Sequence, residues 1–539
     1  MNLTFDPLYQ PYASNRYCIT ARGGMVATGN NLASAAGLEV LRKGGNAVDA
    51  AIATAACLTV TEPCSNGIGS DTFAIVWMKN GLYGLNSSGP APSEISIEAV
   101  KAAGAGEKMP VYGWTPVTVP GAPKAWAKLN ERFGVLSLEE DLAPAIRYAE
   151  EGYALSPLLA DSFRRATKKY HELFGEKREY AEWFRTFTNN GASWEFGDIV
   201  KLPNHAKTLR LIARTGAKAF YEGEIADALV RQSERDGGYF TKADLASYDA
   251  KWVEPIRVNY RGYEVCEIPP NGQGIVALMA LNILRNFTFP EKNCAETYHR
   301  QFEAIKMAFA DAKHYVTDPD YMDLDYHRLI LPEYGERRAA EMTDEAALPS
   351  FGEPPKSGTV YLCTADGEGN MVSMIQSNYM GFGSGIVVED YGVALQNRGA
   401  DFSLDPKHYN ALRPGKRTYH TIIPGFLMKN GKAVGPFGVM GGYMQPQGHV
   451  QVMMNYIDFH MNPQMALDAP RWQWMKDKSF LLEPGFSTAI AGQLQRRGHD
   501  ISMASESLSF GRGQMIVRLD NGVLVGGCES RTDSNIACF

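Results

Sequence analysis

The chain has 539 residues, of which 45% are hydrophobic and 21% are charged. These fractions are typical of soluble globular proteins and exclude a disordered, collagenous or coiled-coil chain. Its 60 acidic residues outnumber its 53 basic ones, for a formal charge of -7, so nucleic acid is not expected as a partner.

The longest apolar runs, residues 50–60 and 275–284, are shorter than the roughly 18 residues of a membrane span. The first residues include Asp6, Pro7 and Tyr9, where a signal peptide would have a basic end and an apolar run. We therefore expect a cytoplasmic protein without membrane contact. The eight cysteines form no C-x-x-C pair and no ligand spacing with histidine, so we expect reduced thiols and no metal site.

The first predicted elements are two helices and a hairpin. Small and apolar residues recur at helical spacing over residues 31–42, and Gly44 and Gly45 end this helix. A second helix begins near Asn46 and consists largely of alanine and other small residues, which favours close packing. After a Gly-rich turn, residues 73–78 are typical of a strand that ends in a turn at residues 80–81.

The middle of the chain, from about residue 122 to 345, is mostly helical in pattern, with helices predicted over residues 143–150, 163–185 and 298–313. Residues 344–358 contain three prolines and no periodicity, which indicates a linker. Directly afterwards, residues 359–365 and 371–376 are typical of two strands of a hairpin. Strand-like segments separated by Gly-rich turns continue to about Gly442.

Thr359 opens the strand that follows the linker. If the bond before it is cut, the freed α-amino group has a pKa near 7.7–8.0 and can accept the proton of the hydroxyl, so one residue supplies both nucleophile and base. Gly358 lets the scissile peptide bend toward that hydroxyl, because glycine has no Cβ. By itself the feature also fits an ordinary strand that begins with threonine.

Several ordered motifs nevertheless resemble one family, the γ-glutamyltransferases. The motifs lie in both halves of the chain, at residues 44–50, 62–63, 67–69, 118–121, 270–274, 359–385, 396–403, 414–417 and 439–442. Members of this family are autoprocessed N-terminal-nucleophile hydrolases with a four-layer αββα core. The resemblance therefore implies an α+β fold of two facing sheets covered by helices on both outer sides.

The resemblance implies a large subunit of residues 1–358 and a small subunit of residues 359–539, separated by cleavage between Gly358 and Thr359. The two subunits would stay together as a heterodimer, with a dimer of heterodimers as a further possibility. Thr359 would be the nucleophile, and Gly441 and Gly442 would donate backbone amides to the oxyanion of the tetrahedral intermediate. An ordinary tight turn is the alternative for the two glycines. No metal or organic cofactor is implied.

On the substrate side, Asp401 resembles the acidic residue that grips the substrate's α-amino group, although a helix cap is an alternative role. The asparagine that contacts the nucleophile in the family corresponds to Asn378 if one residue is inserted, and otherwise to Tyr379. Ser377 is included among the substrate-binding candidates. The family's serine pair is His420-Thr421 here, so one hydroxyl remains and an imidazole is added.

The largest departure concerns the arginine that binds the α-carboxylate of the glutamyl group in the family, because Ser88 occupies about that position here. A hydroxyl does not replace a bidentate guanidinium, so we expect weak binding of glutathione unless another group takes over. Arg398 is one candidate, with a surface location as its alternative.

The prediction from sequence is thus a threonine-nucleophile amidohydrolase or acyltransferase whose substrate is a small amide. A γ-glutamyl amide is favoured by the resemblance and by Asp401, whereas the missing arginine favours another carboxylate-bearing amide, such as oxamate or an acyl β-lactam. The rival from another class is a non-catalytic relative that keeps the fold without processing. The family's second-position threonine and following histidine are Val360 and Tyr361 here, which supports that rival.

Overall fold

The computed structural model describes residues 16–175, 177–348 and 358–539. Its helices, in chain order, are α1 (Asn31–Arg42), α2 (Ala47–Thr61), α3 (Ile97–Ala102), α4 (Ala122–Phe133), α5 (Leu138–Glu151), α6 (Pro157–Phe174), α7 (Ala181–Phe187), α8 (Pro203–Thr215), α9 (Lys218–Tyr221), α10 (Glu224–Arg235), α11 (Lys242–Ala246), α12 (Gly274–Leu284), α13 (Ala295–Tyr315), α14 (Pro332–Ala340), α15 (Met444–Ile457), α16 (Pro463–Asp468) and α17 (Thr488–Arg496).

The strands, in the same order, are β1 (Ile19–Ala21), β2 (Gly24–Thr28), β3 (Asp71–Met78), β4 (Gly81–Ser87), β5 (Tyr153–Ala154), β6 (Ile199–Val200), β7 (Lys251–Val253), β8 (Ile256–Tyr260), β9 (Tyr263–Glu267), β10 (Gly358–Asp366), β11 (Met371–Tyr379), β12 (Val387–Val388), β13 (Val393–Ala394), β14 (Gly425–Lys429), β15 (Lys432–Met440), β16 (Trp472–Lys476), β17 (Ser479–Leu482), β18 (Asp500–Met503), β19 (Arg512–Arg518), β20 (Leu524–Cys528) and β21 (Asn535–Cys538).

Two seven-stranded sheets form the centre of the fold. One has the order β21-β2-β10-β11-β3-β4-β7, and the other has the order β1-β20-β19-β15-β14-β9-β8. A buried apolar cluster with residues of both sheets, including Phe73, Tyr361, Phe426 and Ile516, fills the space between them. Each sheet combines strands from before and after residue 358, so the two parts of the chain are interleaved.

Helices cover the outer face of each sheet. On the first sheet lie α1 and α2, and every residue of α2 is buried, which explains its small side chains: the helix packs against α1, α5 and the sheet at once. On the second sheet lie α12 and α15, with α13 packed on α12. The layers are therefore αββα, and the fold predicted from sequence is confirmed.

The predicted elements agree with the structure at α1, α2, β3 and the hairpin of β10 and β11. One prediction is wrong: residues 163–185 do not form one helix, because α6 ends at Phe174 and Gly175 follows it with φ of +54°. α7 begins only at Ala181. Of the predicted linker, residues 349–357 lie outside the described residues, and 344–348 contain no helix or strand.

In the first sheet, the register brings one end of each of the strands β10, β11, β3 and β4 to the same edge. Gly358 pairs with Tyr379, Ser377 pairs with Asp71, and the residue after Asp71, Thr72, pairs with Ser87. The start of β10 therefore lies beside the end of β11, the start of β3 and the end of β4. This end of the sheet carries most of the candidate site.

Candidate active site

Thr359 is fully buried at the start of β10. Its Oγ1 lies 3.0 Å from Oγ of Ser377, on the neighbouring strand. Ser377 Oγ also accepts a hydrogen bond of 2.9 Å from the backbone N–H of Tyr379. The Thr359 hydroxyl is thus held by a side chain that is itself held by the backbone, which restricts its orientation.

Gly441 and Gly442 lie between β15 and α15, with φ of +135° and +60°. A Cβ on Gly441 would lie 3.2 Å from Cα of Gly511, so both the backbone conformation and the packing favour glycine here. Within the described part of the chain, neither glycine amide donates a hydrogen bond. Two free N–H groups at the start of a helix are suited to hold an oxyanion, because the helix dipole adds to their attraction.

Asp401 ends a short 3₁₀ turn (Arg398–Asp401). Its Oδ1 accepts hydrogen bonds from the hydroxyls of Tyr379, at 2.8 Å, and Tyr443, at 3.2 Å. Its Oδ2 is buried and has no hydrogen-bond partner among the described residues. Burial raises the pKa of this carboxyl, while the nearby Arg398 guanidinium and the two hydroxyls act against that rise.

Arg398 begins the same turn and is only 1% exposed, which excludes the alternative of a surface arginine. Its Nη1 donates a hydrogen bond of 2.7 Å to Oγ1 of Thr421, and its guanidinium carbon lies 4.2 Å from the ring centre of Tyr379. Its Nε and Nη2 are buried without a hydrogen-bond partner in the described structure. Burial lowers the pKa of the guanidinium, and Asp71 acts in the opposite direction.

His420 and Thr421, at the positions of the family's serine pair, have different surroundings. His420 is completely buried and packs against the ring of Phe73, with its Nε2 2.9 Å from Oδ2 of Asp71. Its Nδ1 accepts a hydrogen bond from the backbone N–H of Ile422. In the neutral ring Nε2 therefore carries the hydrogen and donates a hydrogen bond to Asp71. Burial lowers the pKa of His420 well below its usual value and raises the pKa of Asp71 to about 7.

Asn378 makes different contacts from those of Ser377. Its Oδ1 accepts a hydrogen bond of 2.8 Å from Ser70 Oγ, and its side chain lies against Gly67. Successive residues of a strand point to opposite faces, and Ser377 rather than Asn378 is the neighbour of the Thr359 hydroxyl. The role of Asn378 toward the nucleophile stays a prediction. The printed contact of the Thr359 hydroxyl is with Ser377, and Tyr379 reaches it through its N–H bond to Ser377.

Ser88, at the position of the missing arginine, is buried and donates a hydrogen bond of 2.8 Å to Oδ1 of Asn86. An arginine does approach it in space, since Nε of Arg417 donates to the Ser88 carbonyl at 2.9 Å. Arg417 also lines a cavity of about 610 Å³ together with Asn86 and Asn271. This contact could not be predicted from the sequence, because the two residues lie far apart in the chain.

Asp71 and Tyr443 are two further residues of the site that were not predicted from the sequence. Asp71 pairs with His420, and the Tyr443 hydroxyl contacts Asp401. A signal for Tyr443 existed, because it directly follows Gly442 in the chain. For Asp71 no local signal was present, since its partner comes from the other half of the chain.

One group of potential metal ligands lies elsewhere among the described residues. His299 and Glu303 on α13 and His499 next to β18 are buried side by side. The two rings are joined by a hydrogen bond of 2.8 Å, and the ammonium of Lys306 lies 2.6 Å from Glu303 Oε1. The carboxylate is therefore already neutralised by a cation of the chain itself.

Across the described ranges, no helix is both long enough and apolar enough to cross a bilayer.

Comparison with known proteins gives consistent results. The profile of the gamma-glutamyltranspeptidase family matches residues 33–539. The glutathione hydrolase-like YwrD proenzyme of Bacillus subtilis is 36% identical, and the aligned region spans 94% of this chain and 97% of that protein. The oxamate amidohydrolase proenzyme of Klebsiella pneumoniae is 33% identical and covers 96% and 98%, respectively. The crystal structure of a cephalosporin acylase from Bacillus halodurans superposes with a TM-score of 0.97 at 55% identity, covering 100% of this chain and 99% of that one.

Proposed function

Since the chain belongs to the gamma-glutamyltranspeptidase family, we propose that it cleaves its own Gly358–Thr359 bond and then uses Thr359 to process a small amide. The chain is an enzyme of the amidohydrolase and acyltransferase type. The observation that carries the proposal is the 3.0 Å contact between the hydroxyls of Thr359 and Ser377, at the start of the strand that follows the predicted linker.

In the self-cleavage step, Oγ1 of Thr359 attacks the carbonyl carbon of Gly358. The hydroxyl proton passes to the amide nitrogen, and the C–N bond breaks to leave an ester and the free α-amino group of Thr359. Water then hydrolyses the ester, which restores the Thr359 hydroxyl and leaves a carboxylate on Gly358. The Ser377 hydroxyl supports this step by orienting the attacking oxygen.

In the catalytic cycle, the α-amino group of Thr359 takes the hydroxyl proton as Oγ1 attacks the amide carbonyl of the substrate. The N–H groups of Gly441 and Gly442 would stabilise the oxyanion, a contribution that reaches roughly 2.7–4 kcal/mol for a single donor in other enzymes. The proton is then given to the departing amine, and the acyl group stays on Thr359 as an ester. Water completes hydrolysis, whereas an amine acceptor completes transfer.

The mature protein would consist of residues 1–358 and 359–539 as a heterodimer. Both central sheets support this, because each contains strands from both subunits: β10 is bonded to β2 and to β11, and β14 is bonded to β9. Separation would break the ladder of both sheets and expose the cluster between them. Cleavage therefore leaves the fold intact.

For the substrate, two classes remain as proposals. A γ-glutamyl amide is supported by Asp401 and by the relative described as glutathione hydrolase-like. Another carboxylate-bearing amide is supported by Ser88, whose hydroxyl is bonded to Asn86 where the family resemblance expects an arginine. The relatives described as an oxamate amidohydrolase and a cephalosporin acylase fit this second class.

The proposal is tested by Thr359→Ala, with Thr364→Ala as a matched control on the same strand. Thr364 is also buried, and its hydroxyl donates to the carbonyl of Ala47. The parent and the control should give two chains, the smaller beginning Thr-Val-Tyr-Leu, and should release amine from a panel of amides. Thr359→Ala should stay a single inactive chain, and Thr359→Ser should retain some processing. An active Thr359→Ala variant, or a new N-terminus elsewhere, would refute the proposal.

A further inference from the structure

Gln273 comes directly before α12, in the part of the chain that precedes residue 358, and its side chain is completely buried. Its Nε2 donates a hydrogen bond of 2.7 Å to the carbonyl of Thr421 and one of 2.8 Å to the carbonyl of Gly442. Carbonyl oxygens only accept hydrogen bonds, so the nitrogen of the amide must face them. Both hydrogens of this amide are therefore used on carbonyls from the part of the chain after residue 358.

The backbone around Gln273 is held by the same part of the chain. Its N–H donates to the carbonyl of His420 at 2.8 Å, and the N–H of His420 donates to the carbonyl of Asn271 at 2.9 Å. Gly272 and His420 form a parallel bridge at this point. Because main-chain bonds hold the base of the side chain, its amide reaches the two carbonyls from a defined position.

Gly442 needs such a support, because glycine populates several regions of φ and ψ at little cost, and both Gly441 and Gly442 have positive φ. The N–H of Met444 donates to the Gly441 carbonyl at 3.1 Å. The N–H of Gln445 donates to the Gly442 carbonyl at the same distance. The side chain of Gln273 adds a second donor to the Gly442 carbonyl, so this oxygen is held from two directions.

These carbonyl bonds decide where the glycine amides point. The N–H and the C=O of a trans peptide point in opposite directions, so the bond to the Gly441 carbonyl directs the N–H of Gly442 away from that of Met444. The bonds to the Gly442 carbonyl hold the next peptide plane. With both planes held, the rotation of Gly442 is restricted, and its N–H keeps one direction, as a preorganised oxyanion donor must.

We infer that Gln273 is a positioning residue for the oxyanion donors: its amide holds the Gly442 carbonyl so that the N–H groups of Gly441 and Gly442 stay directed at the tetrahedral intermediate. This inference rests on the proposed function, which places the oxyanion there. It goes further, because it makes the chemical step at Thr359 depend on a side chain of the proposed large subunit.

The first experiment compares Gln273→Met with Gln451→Met in the processed enzyme. Gln451 is a matched control, because it is also buried and its Nε2 donates to two carbonyls, those of Gln447 and Trp472, each at 3.0 Å. Methionine keeps the length of the side chain and removes its donors. Both variants should lower the midpoint of urea unfolding, whereas only Gln273→Met should lower the rate of the chemical step.

Turnover of 4-nitrophenyl acetate measures that step, because the small acetyl group of this activated ester does not depend on the substrate class. The turnover by Thr359→Ala is subtracted as background. Gln273→Met should lower kcat about ten- to a hundredfold, since misaligning an oxyanion donor costs less than the roughly 10²–10³ lost when one is deleted. Gln451→Met should keep the kcat of the parent.

γ-Glutamyl and glutaryl 4-nitroanilides, one from each proposed substrate class, separate binding from chemistry. For any nitroanilide that the parent cleaves, Gln273→Met should lower kcat and keep KM near the value of the parent, because oxyanion donors act on the transition state. A residue that only stabilised the fold would change the urea midpoint without this split.

Gln273→Glu is a second variant with a pH readout. Its carboxylate would face the carbonyls of Thr421 and Gly442 without a donor, whereas the protonated acid can donate one hydrogen bond. Burial raises the pKa of a carboxyl, so kcat relative to the parent at the same pH should rise as the pH falls from about 8 to about 5. The ratio is used because protonation of the Thr359 α-amino group lowers the activity of both enzymes.

The inference is wrong if Gln273→Met and Gln451→Met have equal kcat, or if the kcat ratio of Gln273→Glu does not change with pH. It is also wrong if Gln273→Met folds but is not cleaved into two chains, because Gln273 would then act before the catalytic cycle. If Gln273→Met does not fold, the pH dependence of Gln273→Glu decides. A parent that stays one chain, or that turns over none of these substrates above the Thr359→Ala background, would instead refute the proposed function.

Discussion

Arg398 and Arg471 are both buried guanidinium groups, yet their surroundings are opposite. Arg471 donates to the carbonyls of Phe510, Gly511 and Leu467 and to the Glu529 carboxylate at 2.9 Å. Among the described residues, the guanidinium of Arg398 has only the neutral hydroxyl of Thr421 as a hydrogen-bond acceptor. A cation surrounded by acceptors is part of the fold, whereas a cation without them is available to a ligand.

The neighbouring carboxyls show the same difference. Glu529 is fully buried, which by itself raises its pKa, but Arg471 and Arg531 lower it to about 2. Asp71 is also buried, and burial raises its pKa to about 7, because the attraction of Arg398 and Arg417 offsets only part of the rise. The carboxylate of Glu529, paired with Arg471 and Arg531, therefore stays ionised at neutral pH. The carboxyl of Asp71 in the candidate site instead has a pKa near neutral pH. A perturbed pKa in a buried cluster is common at functional sites.

The largest expected effect on stability comes from breaking the paired network. Within the described structure, Arg471→Gln leaves the buried Glu529 carboxylate with Arg531 as its one remaining cationic partner, and it should lower the free energy of unfolding by about 3–5 kcal/mol. The midpoint of urea unfolding, followed by tryptophan fluorescence, measures this change. Arg235→Gln is the control, because Arg235 forks Glu389 at the surface and an exposed pair contributes about 0–1 kcal/mol. Equal shifts for the two variants would contradict the comparison.

A smaller effect of opposite sign is expected at Arg398. Arg398→Met replaces an unpaired buried charge with an apolar chain of similar length and should raise the free energy of unfolding by about 1–4 kcal/mol. Activity toward carboxylate-bearing donors should fall at the same time, which is the usual trade between stability and function. Urea unfolding and nitroanilide release on the same preparation measure both. A destabilised Arg398→Met would show that Arg398 belongs to the fold, as Arg471 does.

The sequence predicted the fold where the signals are local. The helical spacing of residues 31–42, the small residues of α2 and the hairpin after the linker each depend on neighbours in the chain. The strands at the sheet edges did not follow from local pattern, because β1 pairs with β20 and β2 with β21, from opposite ends of the chain. Such pairings depend on tertiary packing rather than on propensity.

The candidate site divides in the same way. The roles of Thr359, Gly441 and Gly442 came from the resemblance of their motifs to the family, and they stay predictions. The burial of Arg398 could not be predicted, because its short turn has the composition of an exposed loop and is covered by Pro116 and Tyr379 only after folding. The pairing of Asp71 with His420 likewise needs the two sheets to be packed together.

The two carboxyls predict opposite effects of pH on stability. Per pH unit, this is the smallest of the expected effects, and it is also the most specific. The pKa of Glu529 is lowered on folding, so its stabilisation is present above the unfolded value near 4.3 and is lost as pH falls toward about 2. The pKa of Asp71 is raised, so its stabilisation is present below the unfolded value near 3.9 and is lost as pH rises through about 7. Between pH 5 and 8, only Asp71 of the two should change the free energy of unfolding.

In measurements from about pH 5 to 8, Asp71→Asn should therefore remove part of the decline in stability that ends near pH 7, by up to about 1.4 kcal/mol per pH unit for one proton. Glu62 is the control, because burial raises its pKa to about 7 as well, outside the contacts of Asp71. Glu62→Gln should remove a separate part of the same decline, and the two changes should add. Since the Arg398 guanidinium lowers the pKa of Asp71, Arg398→Met should move the Asp71-dependent part to higher pH. Urea midpoints measured across this pH range test all three variants. If the Asp71-dependent decline in Arg398→Met moved to lower pH, the guanidinium would not act on Asp71 as described.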